Sequence, residues 1–470
     1  MCRHWIKASF AQKIRSLLKA GRFALIGFVT TLPLASAHRA TAAESVELSS
    51  GVQPGDVAKV DAVLEVAGVL KFKNKEEIKT LPTVVAARFA YEERQLGVEG
   101  ERSSVRIYRT AEANVEVNKK PAKSALRAAD TIVLARAGEG APEMLSPYTR
   151  LTADELELIQ IPGNSLLVEG LLPGHEVEVG GSWKHDDALV CGLLNLDAVS
   201  AADVQSTLGE VVDGAARIEM KGTVSGAIGG VSTEFEIAGR YKFDVKERRV
   251  TWLALLLKEK RSIGHVEPGL EVQARVQMLI APTTEPKELT EVGEEAIAAL
   301  GNENALLISY DSPSGRFGFE HERRWHVMSD REGVLSLRLV DRGELVAQCN
   351  VTAVSLSDPD KRPTLAQFQA DVRRSLDKNF GQFVRVSESS NSNGHVVLRA
   401  EAIGTVEEIE IAWVYYLVQS TEGRQVVLAF TCEQGLLERM GDADQAIIGS
   451  LRFTEPAATA AQPTLAPTVR

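Results

Sequence analysis

The chain has 470 residues, of which 25% are charged and 44% hydrophobic, and its formal net charge is −11. A surface this acidic repels phosphate backbones, so the composition argues against nucleic-acid binding. The length exceeds what one ordinary core needs, and we therefore expect two or three domains.

Residues 1–37 have the pattern of a secretory signal peptide. Six basic residues and no acidic residue precede the apolar run "ALIGFVTTLPLASA", which ends in small residues at Ala35 and Ala37. The run is too short for a stable membrane span, and Pro33 interrupts it. We predict cleavage after Ala37, or as late as Ala42; the alternative is an uncleaved N-terminal anchor.

Cleavage after residue 37 removes six basic residues and takes the formal charge from −11 to −17. No cysteine follows the apolar run to carry a bacterial lipid anchor, and no later segment approaches eighteen continuous apolar residues. The sequence therefore predicts a secreted or periplasmic protein with no membrane span in the mature chain.

Residues 57–282 are predicted to form a β-rich domain. The segments "ARIEMKGTV", "VSTEFEIAG" and "EVQARVQMLI" alternate apolar and polar residues, which is typical of strands with one buried face. The first two are predicted to form a hairpin through "SGAIGG", and "RYKFDVKERRVTWLALLLKEKR" a second hairpin. In its returning strand, the apolar side is assigned to Val250, Trp252, Ala254 and Leu256. Together these strands indicate a large antiparallel sheet.

The region from about 160 to 280, including "VGGSWKHDD" and "YKFDVKERRVTWLAL", resembles the LolA-like lipoprotein-carrier architecture. The resemblance implies a strongly curved sheet that wraps around one or two helices. A short helix is predicted in "LTADELELIQ", where Thr152 and Glu155 have the spacing of a capping box. Strand candidates between residues 57 and 140 belong either to the same sheet or to a separate β-unit.

The polar, Pro- and Glu-rich segment 283–303 is predicted to be a linker between this domain and the next. A second domain is predicted at 304–454. The tail 455–470 is rich in alanine, proline and threonine, and it has too few large apolar residues to offset its ordering entropy. We predict that this tail is disordered.

The second domain is predicted to contain strands, a helix, more strands and a closing helix near "DADQAIIGSLRF". "VLSLRLVDRGELVAQCNVTAV" is predicted to be a hairpin with "DRGE" as its turn, and Leu345 and Cys349 on the apolar side of its second arm. "RPTLAQFQADVRRSLDKNF" is predicted to be an amphipathic helix, with Thr364 as N-cap and Gln367 at the third helical position. Helices packed on the faces of an antiparallel sheet make the fold class of the chain α+β.

This element order and apolar pattern, from "SPSGRFGFEHERRWHV" through "TLAQFQADV" and "WVYYLV" to "IIGSLRF", resemble the PsbP-like superfamily. The resemblance covers about 150 of the 470 residues. It implies that "GRFGFEHERRWHV" is the first hairpin of the sheet, anchored by its phenylalanines and Trp325. It also implies a module that binds protein partners and is not an enzyme.

No catalytic, cofactor or metal site is predicted. The segment "SWKHDD" places one serine, one histidine and two aspartates together (Ser182, His185, Asp186 and Asp187). Catalytic triads assemble across a fold rather than along consecutive residues, and no G-x-S-x-G elbow is present, so we interpret the segment as a polar loop. His321 and His326 are five residues apart, so on a strand they point to opposite faces and cannot share a metal ion.

An aromatic stripe and the cysteines are interpreted as packing residues. The stripe lies on one strand face (Trp413, Tyr415 and Leu417, with Ile409 and Ile411), and it favours core packing over a ligand platform. Of the mature cysteines, Cys191, Cys349 and Cys432, none is in a CxxC pair. A disulfide between the last two needs directly paired strands with Cα atoms no more than about 7 Å apart. We predict three buried thiols, with that disulfide as the alternative.

Three functional hypotheses follow. The first, which we prefer, is a non-enzymatic binding or assembly protein whose C-terminal domain engages a protein partner. The second is a carrier that holds an apolar or lipid ligand in the N-terminal β-domain. The third is a hydrolase whose catalytic residues the sequence does not reveal.

Overall fold

The computed structural model describes residues 45–74, 77–97, 102–138, 140–354 and 362–454. The predicted signal peptide and C-terminal tail lie outside these ranges. The described chain is mostly antiparallel β-sheet, arranged as sheets of twelve, seven and three strands and a two-stranded ribbon. Within these ranges, no helix is both long and apolar enough to span a bilayer.

The strands before residue 283 are mostly long, and three short helices interrupt them. The strands are β1 (Ser45–Glu47), β2 (Val57–Asn74), β3 (Glu77–Leu96), β4 (Ser103–Val117), β5 (Lys120–Ala125), β6 (Ile132–Arg136), β7 (Glu143–Leu145), β8 (Glu176–Glu178), β9 (Ser182–Lys184), β10 (Ala198–Val212), β11 (Ala215–Ile228), β12 (Val231–Asp244), β13 (Arg249–Arg261) and β14 (Gly269–Pro282). The helices are α1 (Ala153–Ile159), α2 (Ser165–Val168) and α3 (Asp187–Leu193).

The twelve-stranded sheet, called here the N-terminal sheet, has the order β7-β6-β4-β3-β2-β14-β13-β12-β11-β10-β9, with β5 paired to β4. The strand candidates between residues 57 and 140 therefore belong to the same sheet as the later hairpins. Helices α1, α2 and α3 pack on one face, which we call the inner face, and form one large core with it. The opposite face is called the outer face.

Local signals in the sequence predicted several of these elements correctly. Gly229 and Gly230 join β11 to β12 with φ values of 57° and 67°, the positive values that a two-residue hairpin turn requires and that glycine adopts without strain. Thr152 and Glu155 form the predicted capping box at the start of α1.

The assignment of β13 side chains to the apolar face is wrong for three of its four residues. Val250 is fully buried, whereas Trp252, Ala254 and Leu256 lie on the outer face. The pairing with β12 skips Thr251, which is therefore an extra residue in β13. A bulge of this kind shifts the side-chain alternation by one position. Because of the bulge, three leucines of β13 lie in the core instead (Leu253, Leu255 and Leu257).

The segment predicted as a linker, 283–303, is packed against the N-terminal sheet. It contains α4 (Lys287–Thr290), α5 (Glu294–Ile297) and a 3-10 turn at Ala298–Gly301. Its apolar residues, together with Ala305, cover one end of the outer face (Leu289, Val292 and Leu300 against Val105, Ile107, Leu134 and Leu145). The connection between the two regions is thus ordered, while the domain boundaries themselves stay predictions.

The remaining elements form the C-terminal region. Its strands are β15 (Ile308–Asp311), β16 (Phe317–His321), β17 (Trp325–Arg331), β18 (Val334–Asp341), β19 (Glu344–Val354), β20 (Phe380–Ser390), β21 (Val396–Val406), β22 (Ile409–Gln419), β23 (Gln425–Glu433) and β24 (Arg452–Phe453). Its helices are α6 (Leu365–Leu376), α7 (Leu437–Met440) and α8 (Ala443–Ser450).

The seven-stranded sheet, called here the C-terminal sheet, has the order β17-β18-β19-β23-β22-β21-β20. Helix α6, which begins with the predicted Thr364–Gln367 capping box, packs on one face of β20, β21 and β22. Helices α7 and α8 pack on the other face together with β16. The prediction of an antiparallel sheet with helices on its faces therefore describes this region.

The hairpin implied for "GRFGFEHERRWHV" is not present. Strand β16 pairs with β15 and β24 in the three-stranded sheet, whereas β17 is an edge strand of the C-terminal sheet. The two strands separate because Phe317 and Phe319 are fully buried in the layer that holds α8. Trp325 is still an anchor, since it is 2% exposed and its Nε1 donates to the Ala443 carbonyl at 3.0 Å.

The three cysteines in the described residues are buried and free, as predicted. Strands β19 and β23 are direct neighbours, but their register pairs Cys349 with Phe430 and Cys432 with Ala347. The two thiols therefore occupy diagonal positions rather than facing each other. Burial raises the pKa of both thiols, to about 11 for Cys432, so neither is a reactive thiolate.

Candidate binding groove

The structure separates the polar residues of the "SWKHDD" segment. Ser182 is exposed on β9, while His185 is buried with its Nε2 2.7 Å from the Ser206 hydroxyl. Asp186 caps α3, and Asp187 is the first residue of that helix. Burial lowers the pKa of His185 to about 4, against the opposing effect of Asp186. The imidazole is therefore a neutral packing group at neutral pH. The segment predicted to be a polar loop instead forms strand β9 and the start of α3.

The two histidines of the "EHERRWH" segment lie on different strands, His321 on β16 and His326 on β17. His321 is 2% exposed and its Nδ1 contacts the Glu322 carbonyl at 2.8 Å. Burial lowers the pKa of His321 to about 4 and lowers that of the half-buried His326. Among the residues the structure describes, no three histidine, cysteine or acidic side chains are grouped closely enough to hold a metal ion.

The aromatic stripe on β22 packs mainly in the core. Trp413 and Leu417 are buried against α6, and Tyr415 and Ile411 are half-buried in the same cluster. Ile409 is different, since it is 49% exposed at the start of the strand. The interpretation of the stripe as core packing is confirmed apart from that residue.

Sequence analysis missed a polar cluster in the inner core of the N-terminal sheet. It joins β3 and β4 to the start of α2, and every member is at most 7% exposed (Tyr91, Glu93, Ser104, Arg106, Tyr108, Asn164 and Ser165). We call it the buried polar cluster. Its members lie far apart in sequence and meet only because β3 pairs with β4 and α2 packs on that pair.

An ion pair lies at the centre of the buried polar cluster. Arg106 Nε is 2.7 Å from one carboxylate oxygen of Glu93, and Ser165 Oγ donates to the other oxygen at 2.7 Å. Arg106 also donates to Ser165 Oγ at 3.2 Å. Burial alone would lower the pKa of Arg106, but the Glu93 carboxylate raises it above its usual value. With both charges paired and enclosed, the cluster fixes α2 to the sheet and is unsuited to contact substrate.

The outer face of the same strands is open beyond the end that α4 covers. A bulge in β4 leaves Arg109 unpaired in the ladder and directs its side chain to the outer face. Its guanidinium binds Glu92 at 2.9 Å and Glu288 of α4 at 2.8 Å. This bridge fixes the edge of the covered area, and the face beyond it is exposed to solvent.

A groove lies across five strands beside this bridge. One row of side chains crosses β13, β14, β2, β3 and β4 in that order (Trp252, Leu279, Asp61, Ala90 and Thr110). The neighbouring row consists of the residues two positions away on the same five strands (Ala254, Gln277, Val63, Arg88 and Glu112). Five strands at about 4.8 Å spacing give each row a length of roughly 19 Å. The groove encloses about 380 Å³, within the roughly 300–1,000 Å³ typical of ligand sites.

The apolar part of the groove is a patch around one aromatic ring. Trp252 is half-buried, and the Lys242 ammonium lies 5.5 Å from the centre of its ring. Leu279 is 53% exposed and Val63 is 36% exposed. The Thr251 bulge places Trp252 in this patch, and sequence analysis missed the groove because it placed the same residue in the core.

The polar part of the groove has unused hydrogen-bonding capacity. Arg88, Glu112, Gln277 and Thr110 make no side-chain hydrogen bond or ion pair with other residues in the described part of the chain. Arg88 stands directly opposite Glu112 across β3 and β4, yet the two are not bonded. Asp61 is the exception, since it lies 3.2 Å from Lys59. Donors and acceptors in this groove are therefore available to a ligand.

Comparison with known proteins identifies no family. No protein-family model matches the chain, and no curated protein does. Among solved structures, the chain is similar to cyanobacterial PsbP from Synechocystis sp. PCC 6803, at 13% identity over 31% of this chain and 92% of that one, with a TM-score of 0.26. It is similar to the Saccharomyces cerevisiae Ran-binding protein Mog1p at 8% identity over 32% and 96%, also at 0.26.

A further similar structure is lipovitellin, at 8% identity over 50% of this chain and 26% of that one, with a TM-score of 0.28. The likeness to PsbP and Mog1p concerns about a third of the chain. The resemblance of the N-terminal region to lipoprotein carriers stays a prediction. The functional argument below therefore rests on the geometry of the groove.

Proposed function

We propose that the protein is a non-enzymatic binding protein, secreted or periplasmic, and that the groove is its main contact surface. The observation that carries this proposal is the apolar patch around Trp252 together with polar side chains that have no partner in the described part of the chain. Elsewhere on the outer face, some charges pair across strands, as Lys258 does with Glu236 at 2.6 Å and Arg240 with Glu219 at 2.9 Å, and others, such as Glu234 opposite Lys260, do not. In the groove, the unpaired charges of Arg88 and Glu112 lie beside that apolar patch.

Rigid strands support this role. All ten side chains of the two rows project from paired strands rather than from loops, and hydrogen-bonded neighbours flank each strand that carries them. A contact surface held in this way loses little conformational entropy when a ligand binds, because its backbone is already ordered. The groove is thus preorganised.

The sequence resemblance to PsbP-like proteins supports a protein partner for the C-terminal region. In this proposal the groove serves a separate ligand, so that the two regions bring two components together. The signal-peptide pattern in residues 1–37 supports a site of action outside the cytoplasm.

The proposal is tested by fluorine NMR of the mature protein labelled with 5-fluorotryptophan. The Trp252→Phe variant assigns the Trp252 resonance, and the buried Trp325 provides an internal control. We expect a soluble extract of the native cell envelope to shift the Trp252 resonance and leave that of Trp325 in place. A Trp252 resonance that does not respond to the extract contradicts the groove as the contact surface.

The carrier hypothesis requires a different site, between the inner face and its helices. That space is filled, because Leu166, Leu167 and Val168 of α2 are buried in one cluster with the sheet. The buried polar cluster also holds the start of α2, so a lipid enters only if this helix leaves the sheet. Lipid extraction of the purified protein followed by mass spectrometry tests the hypothesis, and a stoichiometric lipid would favour a carrier. A screen of ester, peptide and glycoside substrates tests the hydrolase hypothesis.

A further inference from the structure

We propose that the groove binds a neutral glycan chain. This inference rests on the proposed role of the groove as the contact surface and names the chemistry of what binds there. It follows from three properties of the lining: an aromatic ring in an apolar patch, planar polar groups without partners, and charges of both signs.

The aromatic ring matches the apolar side of a sugar. A pyranose ring presents a flat face of C–H groups, which packs on the face or edge of an indole, while its hydroxyls point sideways. Trp252 lies beside Leu279, and Val63 lies one strand beyond Leu279 in the neighbouring row, so the apolar area is small and surrounded by polar groups. An aliphatic ligand would bury those groups without hydrogen bonds, which is unfavourable.

The planar polar groups match sugar hydroxyls. Carboxylate, amide and guanidinium groups each offer two coplanar hydrogen-bonding atoms, and vicinal hydroxyls present a donor and an acceptor at similar spacing. The groove presents one group of each kind that has no partner among the residues the structure describes, on Glu112, Gln277 and Arg88. Thr110 adds a hydroxyl at the end of the row.

The charges of the lining oppose a strongly charged ligand. Two of the twelve lining residues are acidic, Asp61 and Glu112, and one is basic, Arg88. The carboxylates of Asp61 and Glu112 repel acidic polymers. Arg88, with Lys59 and Lys242 nearby, offsets their charge, so a neutral chain suits the groove better than an anionic or cationic one.

The geometry favours a chain over a single sugar. The two rows run across five strands for roughly 19 Å, which is longer than one sugar ring. A linear ligand can therefore lie across the strands, with one sugar on Trp252 and later ones at Arg88 and Glu112.

The test uses the fluorotryptophan-labelled protein with the envelope extract divided into four samples. One sample is untreated, one is oxidised with periodate, which cleaves vicinal diols, one is digested with proteinase K, and one is extracted with chloroform and methanol. We expect the shift of the Trp252 resonance to survive digestion and solvent extraction and to disappear after periodate. A shift that proteinase K removes and periodate leaves overturns the inference in favour of a protein, and loss on solvent extraction overturns it in favour of a lipid.

Two variants of the groove sharpen the test. Loss of a charged hydrogen-bonding group is worth about 1.5–3 kcal/mol, so Arg88→Ala should weaken binding of the periodate-sensitive fraction to the protein about tenfold or more. Glu112→Gln, which keeps the shape of the side chain, should weaken this binding as well. The matched control is Arg240→Ala, an exposed arginine on the same face outside the groove, which should bind as the wild type does.

The outcomes separate the inference from the proposed function. If the untreated extract does not shift the Trp252 resonance, the groove is not the contact surface and both proposals fail. If it does, but Arg88→Ala and Arg240→Ala bind alike, the groove is a contact surface and the glycan chemistry assigned to it is wrong. Thermal unfolding of each variant confirms that a change in binding does not come from loss of the fold.

Discussion

Strands β12 and β22 differ in how many of their side chains are exposed to solvent. In β12, every second residue from Val231 to Phe243 is buried and those between are exposed. In β22, the residues from Ala412 to Gln419 are buried almost without interruption. Strict alternation is what one buried face requires, and a continuous apolar run is what two buried faces require.

This difference separates strands covered on both sides from strands that can present a surface. In the C-terminal sheet, α6 covers β20, β21 and β22 on one side, and α7, α8 and β16 pack on the other side of the sheet. The N-terminal sheet keeps most of its outer face uncovered, and the groove is the part of that face with a half-buried tryptophan ring. Binding by the N-terminal sheet therefore uses side chains on strands, whereas β22 of the C-terminal sheet has no free face.

The largest expected effect concerns the inner face of the N-terminal sheet. Replacing Glu93 by Gln removes the charge that pairs with Arg106 and leaves a buried guanidinium uncompensated. Breaking a buried pair in this way costs about 3–5 kcal/mol. We expect the free energy of unfolding of the N-terminal sheet, measured by urea titration, to fall by that amount while the C-terminal transition is unchanged. The control is Glu236→Gln on the outer face, whose ion pair is exposed and whose loss should leave both midpoints in place.

Two tryptophans provide a matched test of buried and open positions. Trp325→Ala removes a fully buried ring in the C-terminal region, and such truncations cost about 3–5 kcal/mol. Trp252→Ala removes a half-buried ring from the open groove and should cost much less. Equal losses of stability by thermal unfolding would mean that Trp252 has a structural role comparable to that of Trp325, which would weaken the case for the groove.

Acid should destabilise both regions through buried neutral histidines. Burial lowers the pKa of His185 and of His321 to about 4, below the usual value of about 6.5. As the pH falls from 7 to 5, the unfolded chain takes up protons that the folded chain does not, so the free energy of unfolding decreases by about 2 kcal/mol per histidine. The stability is present above pH 6.5 and is lost toward pH 4.

Single variants assign this loss to each region. His185→Gln should flatten the pH dependence of the N-terminal transition alone, and His321→Gln that of the C-terminal transition alone. Urea unfolding at pH 7 and pH 5 measures both. If either variant keeps the full pH dependence of its own region, titration of that histidine is not the cause.

Removal of the N-terminal region should have the smallest effect on the stability of the C-terminal region. The C-terminal sheet has its own cores, so a fragment of residues 303–456 should fold without the N-terminal sheet. We expect one cooperative thermal transition close to that of the C-terminal region in the whole chain. A fragment that binds the dye ANS and melts without cooperativity would show that the contacts with the N-terminal sheet are essential.

Local patterns in the sequence predicted most of the fold. Alternation in β11, β12 and β14, the glycine pair before β12, and the capping boxes at Thr152 and Thr364 each depend on residues close in sequence. Periodicity and turn chemistry therefore identified these elements correctly. The same signals left open whether the early strands join the later ones, because strand order depends on contacts between distant residues.

The site was harder to predict for two physical reasons. Strand β13 is apolar at both parities, as Trp252 and Leu256 alternate with Leu253 and Leu255, so hydrophobicity could not show which set faces the core. Only the extra residue at Thr251 decides this, and a bulge has no strong sequence signal. The buried polar cluster was missed because Glu93, Arg106 and Ser165 come together only through tertiary packing.

The Thr251 bulge also bears on how such a surface arises in evolution. Side chains in a strand alternate with a period of two, so gaining or losing one residue at this position exchanges the whole outward set with the whole inward set. In β13 both sets are apolar enough to fill a core, and a single-codon insertion or deletion is a smaller step than several coordinated substitutions. The length of this strand, more than its composition, determines whether Trp252 lies on the outer face of the sheet or is buried on the inner face.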